Sequence, residues 1–280
     1  MTAVDLDPTG FAVVTGASSG IGLELALLFA GDGHDLLLCA EDDGLEAAAA
    51  HCRAAGVDVT TFRTDLASAE GVESLYEAVI ATGRAVDAAA LNAGVGQGGA
   101  FVDTEVSALL QVVQLNATST MHLTRLLLAD MVARGQGRLL LTSSIASTIP
   151  GAFQAVYNAS KSFVQSLAEA LQEELRDSEV TLTSLMPGPT ETNFFHRAGM
   201  DDTVMGRGPK DDAADVARQG YEALLAGKDR VVAASLMTKA QELGAKVVPD
   251  KIKAAVHRQI AEPRQSGPDQ TAGPDDEVSR

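Results

Sequence analysis

The chain has 280 residues, with 38 Asp and Glu against 21 Lys and Arg, a net charge of −17 and two cysteines. That balance argues against nucleic acid or an anionic membrane as the main partner, since both call for a basic face. The length suits one large α/β domain with no need of a second core. No apolar run reaches the ~20 residues of a membrane-spanning helix, and the opening MTAVDLDPTG has acids where a secretory signal has bases. A soluble, cytoplasmic protein is expected. In a reducing compartment Cys39 and Cys52 read as packed thiols. His34, His51, His122, His196 and His257 are too scattered for metal-ligand spacing, so no metal site is expected.

In chain order, Phe11 to Thr15 is an apolar run that suits a strand buried on both faces of a parallel sheet. Gly16, Gly20 and Gly22 follow, with Ala17, Ser18 and Ser19 between the first two, and Ile21 to Phe29 then repeats apolar residues at helical spacing. A glycine turn opening on a helix N-terminus gathers free N–H groups and the positive end of the helix dipole, a ready site for pyrophosphate. Gly16 to Gly20 also fits G-x-S-x-G, the nucleophile elbow of serine hydrolases, which would make Ser18 a nucleophile.

Further strands are expected at 36–40, 57–62, 86–91, 138–142 and 180–186 and near Val231, alternating with helices at 45–55, 69–82, 104–133, 155–176 and 213–225. This alternation predicts an α/β fold, a Rossmann-type doubly wound parallel sheet of about seven strands. Residues 189–208 mix Phe194, Phe195, Met200 and Met205 with charges and read as a mobile substrate flap or a plain surface loop. Apolar stripes on 236–247 and on Ile252, Val256 and Ile260 suggest helices packed on the domain or on a partner subunit. Residues 1–262 thus read as one domain, and 263–280, rich in Pro, Gly and polar residues, as a disordered tail.

Tyr157 and Lys161 stand four apart on a predicted helix and share a face. A nearby cation lowers a phenol's pKa from ~10, which suits general acid/base work. Ser143 and Ser144 follow the fifth strand, at the carboxyl edge where open parallel sheets bind ligands. Asn116 is a poor helix former inside a long helix, fit to hold a kink or a water.

Together, Thr15-Gly16-Ala17-Ser18-Ser19-Gly20-Ile21-Gly22, Asn92-Ala93-Gly94, Asn116, Ser144, Tyr157-x-x-x-Lys161 and Pro187-Gly188 resemble the single-domain short-chain dehydrogenase/reductase family over residues 8–233. The resemblance implies hydride transfer between a nicotinamide dinucleotide and a secondary alcohol or ketone. It implies Tyr157 as acid/base, Lys161 on the nicotinamide ribose while lowering the tyrosine pKa, Ser144 orienting the substrate oxygen, and Asn116 holding a water beside Lys161. Gly16, Ser18, Ser19, Gly20, Ile21 and Gly22 would cradle the dinucleotide. Asp65 and Leu66 would meet the adenine, Asn92, Ala93 and Gly94 the adenine ribose side, and Pro187, Gly188, Thr190 and Thr192 the nicotinamide. The family's NADP-dependent members place a base near Glu41, where this chain reads Glu41-Asp42-Asp43, so NAD is favoured over NADP, with Glu41 on the ribose and Arg63 or Arg53 as the bases able to reach in. A homodimer or homotetramer through the two long helices is implied. The substrate is expected to be a small carbonyl or alcohol, apolar in view of the flap. The alternatives are a non-catalytic dinucleotide sensor and the hydrolase using Ser18.

Overall fold

The computed structural model of the chain describes residues 10–233 and 249–263. Seven parallel strands form one sheet in the order β3-β2-β1-β4-β5-β6-β7. They are β1 Phe11–Thr15, β2 Asp35–Ala40, β3 Val59–Arg63, β4 Ala88–Leu91, β5 Gly137–Thr142, β6 Val180–Pro187 and β7 Arg230–Ala233. Strand residues alternate between two cores: Val13, Leu37, Ala89 and Leu139 enter one, while Val14, Leu36, Ala90 and Leu140 enter the other. Both faces of the sheet are therefore dry, which is why these strands read as continuous apolar runs.

Helices α1 Gly20–Gly31, α2 Gly44–Arg53 and α9 Ala213–Leu225 cover one face. On the other lie α3 Ala69–Ala81, α5 Thr120–Arg134 and α6 Ala155–Glu174, with α4 Val106–Val113 packed against α6. Chain order reverses between β1 and β4, and the crevice above that reversal is where such sheets bind ligands. Cys39 and Cys52 are free and buried, as expected, and burial pushes the Cys39 thiol up to about 12. Among the described residues no helix is long and apolar enough to cross a membrane.

Three expectations change. The helix expected over 104–133 is two helices joined by a π-helical turn, Gln114–Ser119, that contains Asn116. Extra residues fit such a turn when side chains capture backbone groups elsewhere, and Asn116 does so by bonding Val95. The segment 189–208 is not a plain loop: it carries α7 Phe194–Arg197 and α8 Val204–Arg207. Phe195, Ala198 and Met200 bury themselves there against Ala261 of α10 Asp250–Ala261. On α10 the packed face belongs to His257 and Ala261, whereas Ile252 and Val256 of the expected stripe are exposed. The stripe on 236–247 and the tail from 264 lie outside the described residues.

Candidate active site

One cleft of about 890 Å³ runs along the carboxyl ends of the strands, from the glycine turn to α10. At its first end, β1 passes through Gly16 to α1. A Cβ on Gly22 would lie 2.1 Å from the Gly16 carbonyl oxygen and 2.7 Å from Asn92 Nδ2, so only glycine lets the turn close. Gly20 adopts φ +57°, and Thr192 Cγ2 would be 2.8 Å from its Cβ. The result is a tight backbone cradle at a helix N-terminus, a shape and polarity that fit a pyrophosphate. Ser19 precedes α1 in extended backbone with no side-chain cap bond. Ser18 Oγ donates to Asp42 Oδ2 at 2.8 Å. That proton goes to a carboxylate rather than to a histidine base, so the hydrolase reading lacks the pairing it needs.

The acidic corner differs in detail from the sequence reading. Asp42, rather than exposed Glu41, is the carboxylate fixed in the cradle, because its second oxygen also accepts the Gly44 N–H at 2.9 Å. Both remain in the cleft lining with Asp65 and Leu66. Asp65 Oδ1 accepts the Ala67 N–H at 2.8 Å, which locks the turn after β3. Of the two arginines weighed for this corner, Arg63 stands in it, held by its own acids, and Arg53 is engaged on β3. Arg63 donates to the Glu41 carbonyl at 2.8 Å and pairs with Asp43, and Arg53 donates to the Val59 carbonyl at 2.8 Å.

In the middle, Thr15 Oγ1 accepts the N–H groups of Asn92 and Ala93 at 3.0 and 3.1 Å, and Thr142 Oγ1 donates to Asn92 Oδ1 at 3.1 Å. Leu91 is buried, and these bonds brace the loop that follows it. Asn116 accepts the Val95 N–H at 2.9 Å and donates to the Val95 carbonyl at 2.8 Å and to Ser160 Oγ at 3.0 Å. Gly94 is squeezed between Asn116 and Lys161: its Cβ would meet Asn116 Oδ1 at 3.1 Å and Lys161 Nζ at 3.3 Å.

Tyr157, Lys161 and Ser144 converge here, all under 9% exposed. Lys161 Nζ donates to the Thr142 carbonyl at 2.8 Å, and Ser143 Oγ donates to the Lys161 carbonyl at 3.1 Å, so Ser143 serves the scaffold and Ser144 the cleft. Ser144 Oγ accepts the Ala146 N–H at 3.1 Å and lies 3.4 Å from the Pro187 carbonyl. The tyrosine pKa is raised rather than depressed. Burial pushes the Tyr157 phenol up to about 12, against a hydrogen bond from Ser144 that lowers it. Burial likewise brings the Lys161 ammonium down to about 8. Desolvation wins, with the Phe194 ring packed against the tyrosine ring at 5.1 Å between centroids.

Several contributors carry no pattern in the sequence. A Cβ on Gly96 would come within 2.5 Å of Phe194 Cζ, so this glycine seats the α7 segment over Tyr157. Asn158 Nδ2 bonds the carbonyls of Ala146 and Ile149 and ties the loop after β5 onto α6. Phe153, the only described non-glycine residue with positive φ (62°), turns the chain into α6 while its carbonyl accepts the Gly99 N–H at 3.0 Å. Pro187, Gly188, Thr190 and Thr192 complete the lining on the β6 side, where Thr190 Oγ1 donates to the Gly188 carbonyl at 2.9 Å.

A doubly wound sheet with a glycine cradle at its switch point and a Tyr-x-x-x-Lys helix beside it defines a dinucleotide-type oxidoreductase site. The profile of the family described as short chain dehydrogenase matches residues 10–202, and the chain belongs to that family of oxidoreductases. It is similar to the probable oxidoreductase EphD of Mycobacterium tuberculosis, 33% identical over 196 residues that cover 68% of this chain and 33% of that protein. The chain thus matches about a third of that relative's length. Among solved structures, a short chain dehydrogenase/reductase from Burkholderia phymatum in complex with NAD is 25% identical, with TM-score 0.79 over 94% of this chain and 99% of that one. A short-chain dehydrogenase from Sphingobium yanoikuyae in complex with NADPH is 26% identical, with TM-score 0.75 over 92% and 97%.

Proposed function

We propose that the protein interconverts a secondary alcohol and a ketone with a nicotinamide dinucleotide, NAD in preference to NADP, and that Tyr157 is its proton donor and acceptor. The observation that supports this most directly is the buried grouping of Tyr157, Ser144 and Lys161 in the same cleft as the glycine cradle. The dinucleotide, when bound, supplies the hydride chemistry. Gly16 to Gly22 hold its pyrophosphate, Asp42 and Glu41 its adenosine ribose, Asp65 and Leu66 its adenine, and Asn92 to Gly94 the side of that ribose. Pro187, Gly188, Thr190 and Thr192 border its nicotinamide.

Ser144 holds the substrate oxygen beside the phenol. Because burial keeps Tyr157 protonated, it gives its proton to a carbonyl oxygen as the oxygen gains charge. Lys161, still cationic at neutral pH, then offsets the phenolate charge, and Asn116 fixes the loop against which Lys161 rests. Phe194 keeps water from the phenol.

Two expected results bear on this reading. With a pKa near 8, Lys161 loses its charge as pH rises through that value. The kcat/KM for NADH in ketone reduction, which reports the free enzyme, should therefore fall above about pH 8. A flat profile to pH 10 would remove Lys161 from the proton step. Calorimetric titration should show NADH binding about tenfold or more tighter than NADPH, about 1.4 kcal/mol, since the Asp42 and Glu41 carboxylates repel a 2′-phosphate. Asp42→Asn, which still accepts from Ser18, should narrow that gap. Tighter NADPH binding would overturn the preference, and binding of neither would overturn the oxidoreductase reading. Exposed Leu110 and Val113 on α4 and Phe163 on α6 support a homodimer or homotetramer through these helices, checked by light scattering. A cytoplasmic setting suits the free thiols.

A further inference from the structure

The cleft is electrically divided. Its acidic lining residues, Glu41, Asp42 and Asp65, all stand at the glycine-turn end. Beyond Tyr157 the charged lining residues are Arg197 and Lys253, both cations in a chain of 38 acids and 21 Lys and Arg. Arg197 ends α7, one turn after the Phe194 that covers Tyr157. The acids nearest it in sequence are taken: Asp201 pairs with His196 and Asp202 with Arg207. The Arg197 side chain has no hydrogen bond or ion pair among the described residues. Lys253 comes from α10; its side chain is only 14% exposed, and its ammonium shares one contact, 3.1 Å, with exposed Asp250 Oδ1.

One turn further along α10, His257 is 2% exposed, donates Nδ1–H to the Ala152 carbonyl at 2.9 Å, and lines the same cleft. Much of the remaining wall is apolar, with Ile149, Val256, Ile260 and Phe194 in it. An ammonium drawn toward an apolar wall with a single exposed acid beside it, and an exposed guanidinium at the rim with no side-chain partner, leave positive charge available to an anion in the cleft.

We propose that the substrate carries an anionic group, a carboxylate or a phosphate monoester, held by Arg197 and Lys253, and an apolar segment that joins it to the reacting carbonyl. The reacting end rests on the alcohol/ketone reading above; the anion subsite rests on the charge division of the cleft. Guanidinium geometry favours either anion through paired N–H donors, and Lys253 adds a point charge to the same cleft from α10. The apolar walls select against short, fully polar oxo acids.

The test is calorimetric binding of octanoate, octyl phosphate, octanol and octylammonium to the full chain, with the Arg197→Gln/Lys253→Gln double variant in parallel. Octanoate or octyl phosphate should bind about tenfold tighter than octanol, octylammonium weakest, and the anion advantage should shrink in raised salt and collapse in the double variant. The tighter of the two anions identifies the group. Equal binding of octanol and both anions, or an advantage unchanged in the double variant, would overturn the proposal. No turnover enters this assay, so the two readings fail separately. Anion preference without reduction of any ketone sinks the hydride reading alone, and reduction of neutral ketones without anion preference sinks the subsite alone.

Discussion

Tyr157→Phe is expected to lower turnover by about a thousandfold, the middle of the range for a positioned general acid, while dinucleotide affinity stays within about twofold. The substitution removes one oxygen and keeps the ring that packs against Phe194. The site is buried on both sides of the change, so shape and dryness persist. What is lost is the proton that the phenol, at about 12, retains throughout the neutral range. Absorbance assays of nicotinamide oxidation and calorimetric titration of NADH separate the two effects. Turnover that survives intact would take Tyr157 out of the chemistry, and equal loss of binding would make its role structural.

Gly22→Ala should weaken dinucleotide binding by more than about a hundredfold and cost about 1–3 kcal/mol or more of stability, the range for overpacking a closed site. The new methyl would stand 2.1 Å from the Gly16 carbonyl oxygen and 2.7 Å from Asn92 Nδ2. Neither neighbour is the loose end of a flexible side chain, since one is backbone and the other is held by Thr142. The turn must therefore open, and the N–H groups that face the cleft lose their aim. Gly31→Ala is the control: nothing lies within 4 Å of its Cβ, and a helical glycine replaced by alanine gains up to about 1 kcal/mol. Thermal unfolding with and without NADH tells the two apart. Wild-type NADH binding by Gly22→Ala would overturn the account of the cradle.

Much of the fold is legible because parallel strands buried on both faces leave an unbroken apolar signature. FAVVT at 11–15 and LLLT at 139–142 can hardly be read otherwise. The ends of strands are less so: β3 begins at Val59 and β4 at Ala88, each two residues after its expected start. Asp58 and Asp87 precede them, and Asp87 instead binds the Phe11 N–H at 2.8 Å through its side chain. The split of the long helix at Asn116 was foreshadowed only as a kink, for a π-turn depends on what Val95 presents across the cleft.

The order of strand, glycine turn and helix, the pairing of Tyr157 with Lys161, and the serine past β5 are local facts, and the sequence by itself determined them. Their chemistry is written in residue type and short spacing. Which of three consecutive acids enters the cradle was decided by tertiary structure, because Asp42 is fixed by Ser18, a residue 24 positions away. The same holds for the phenol's raised pKa, which comes from burial with Phe194 packed on it from a segment that rests against α10. Spacing along a chain tells which groups can share a face. Burial, and with it the cost of a charge, depends on what the rest of the chain lays on top.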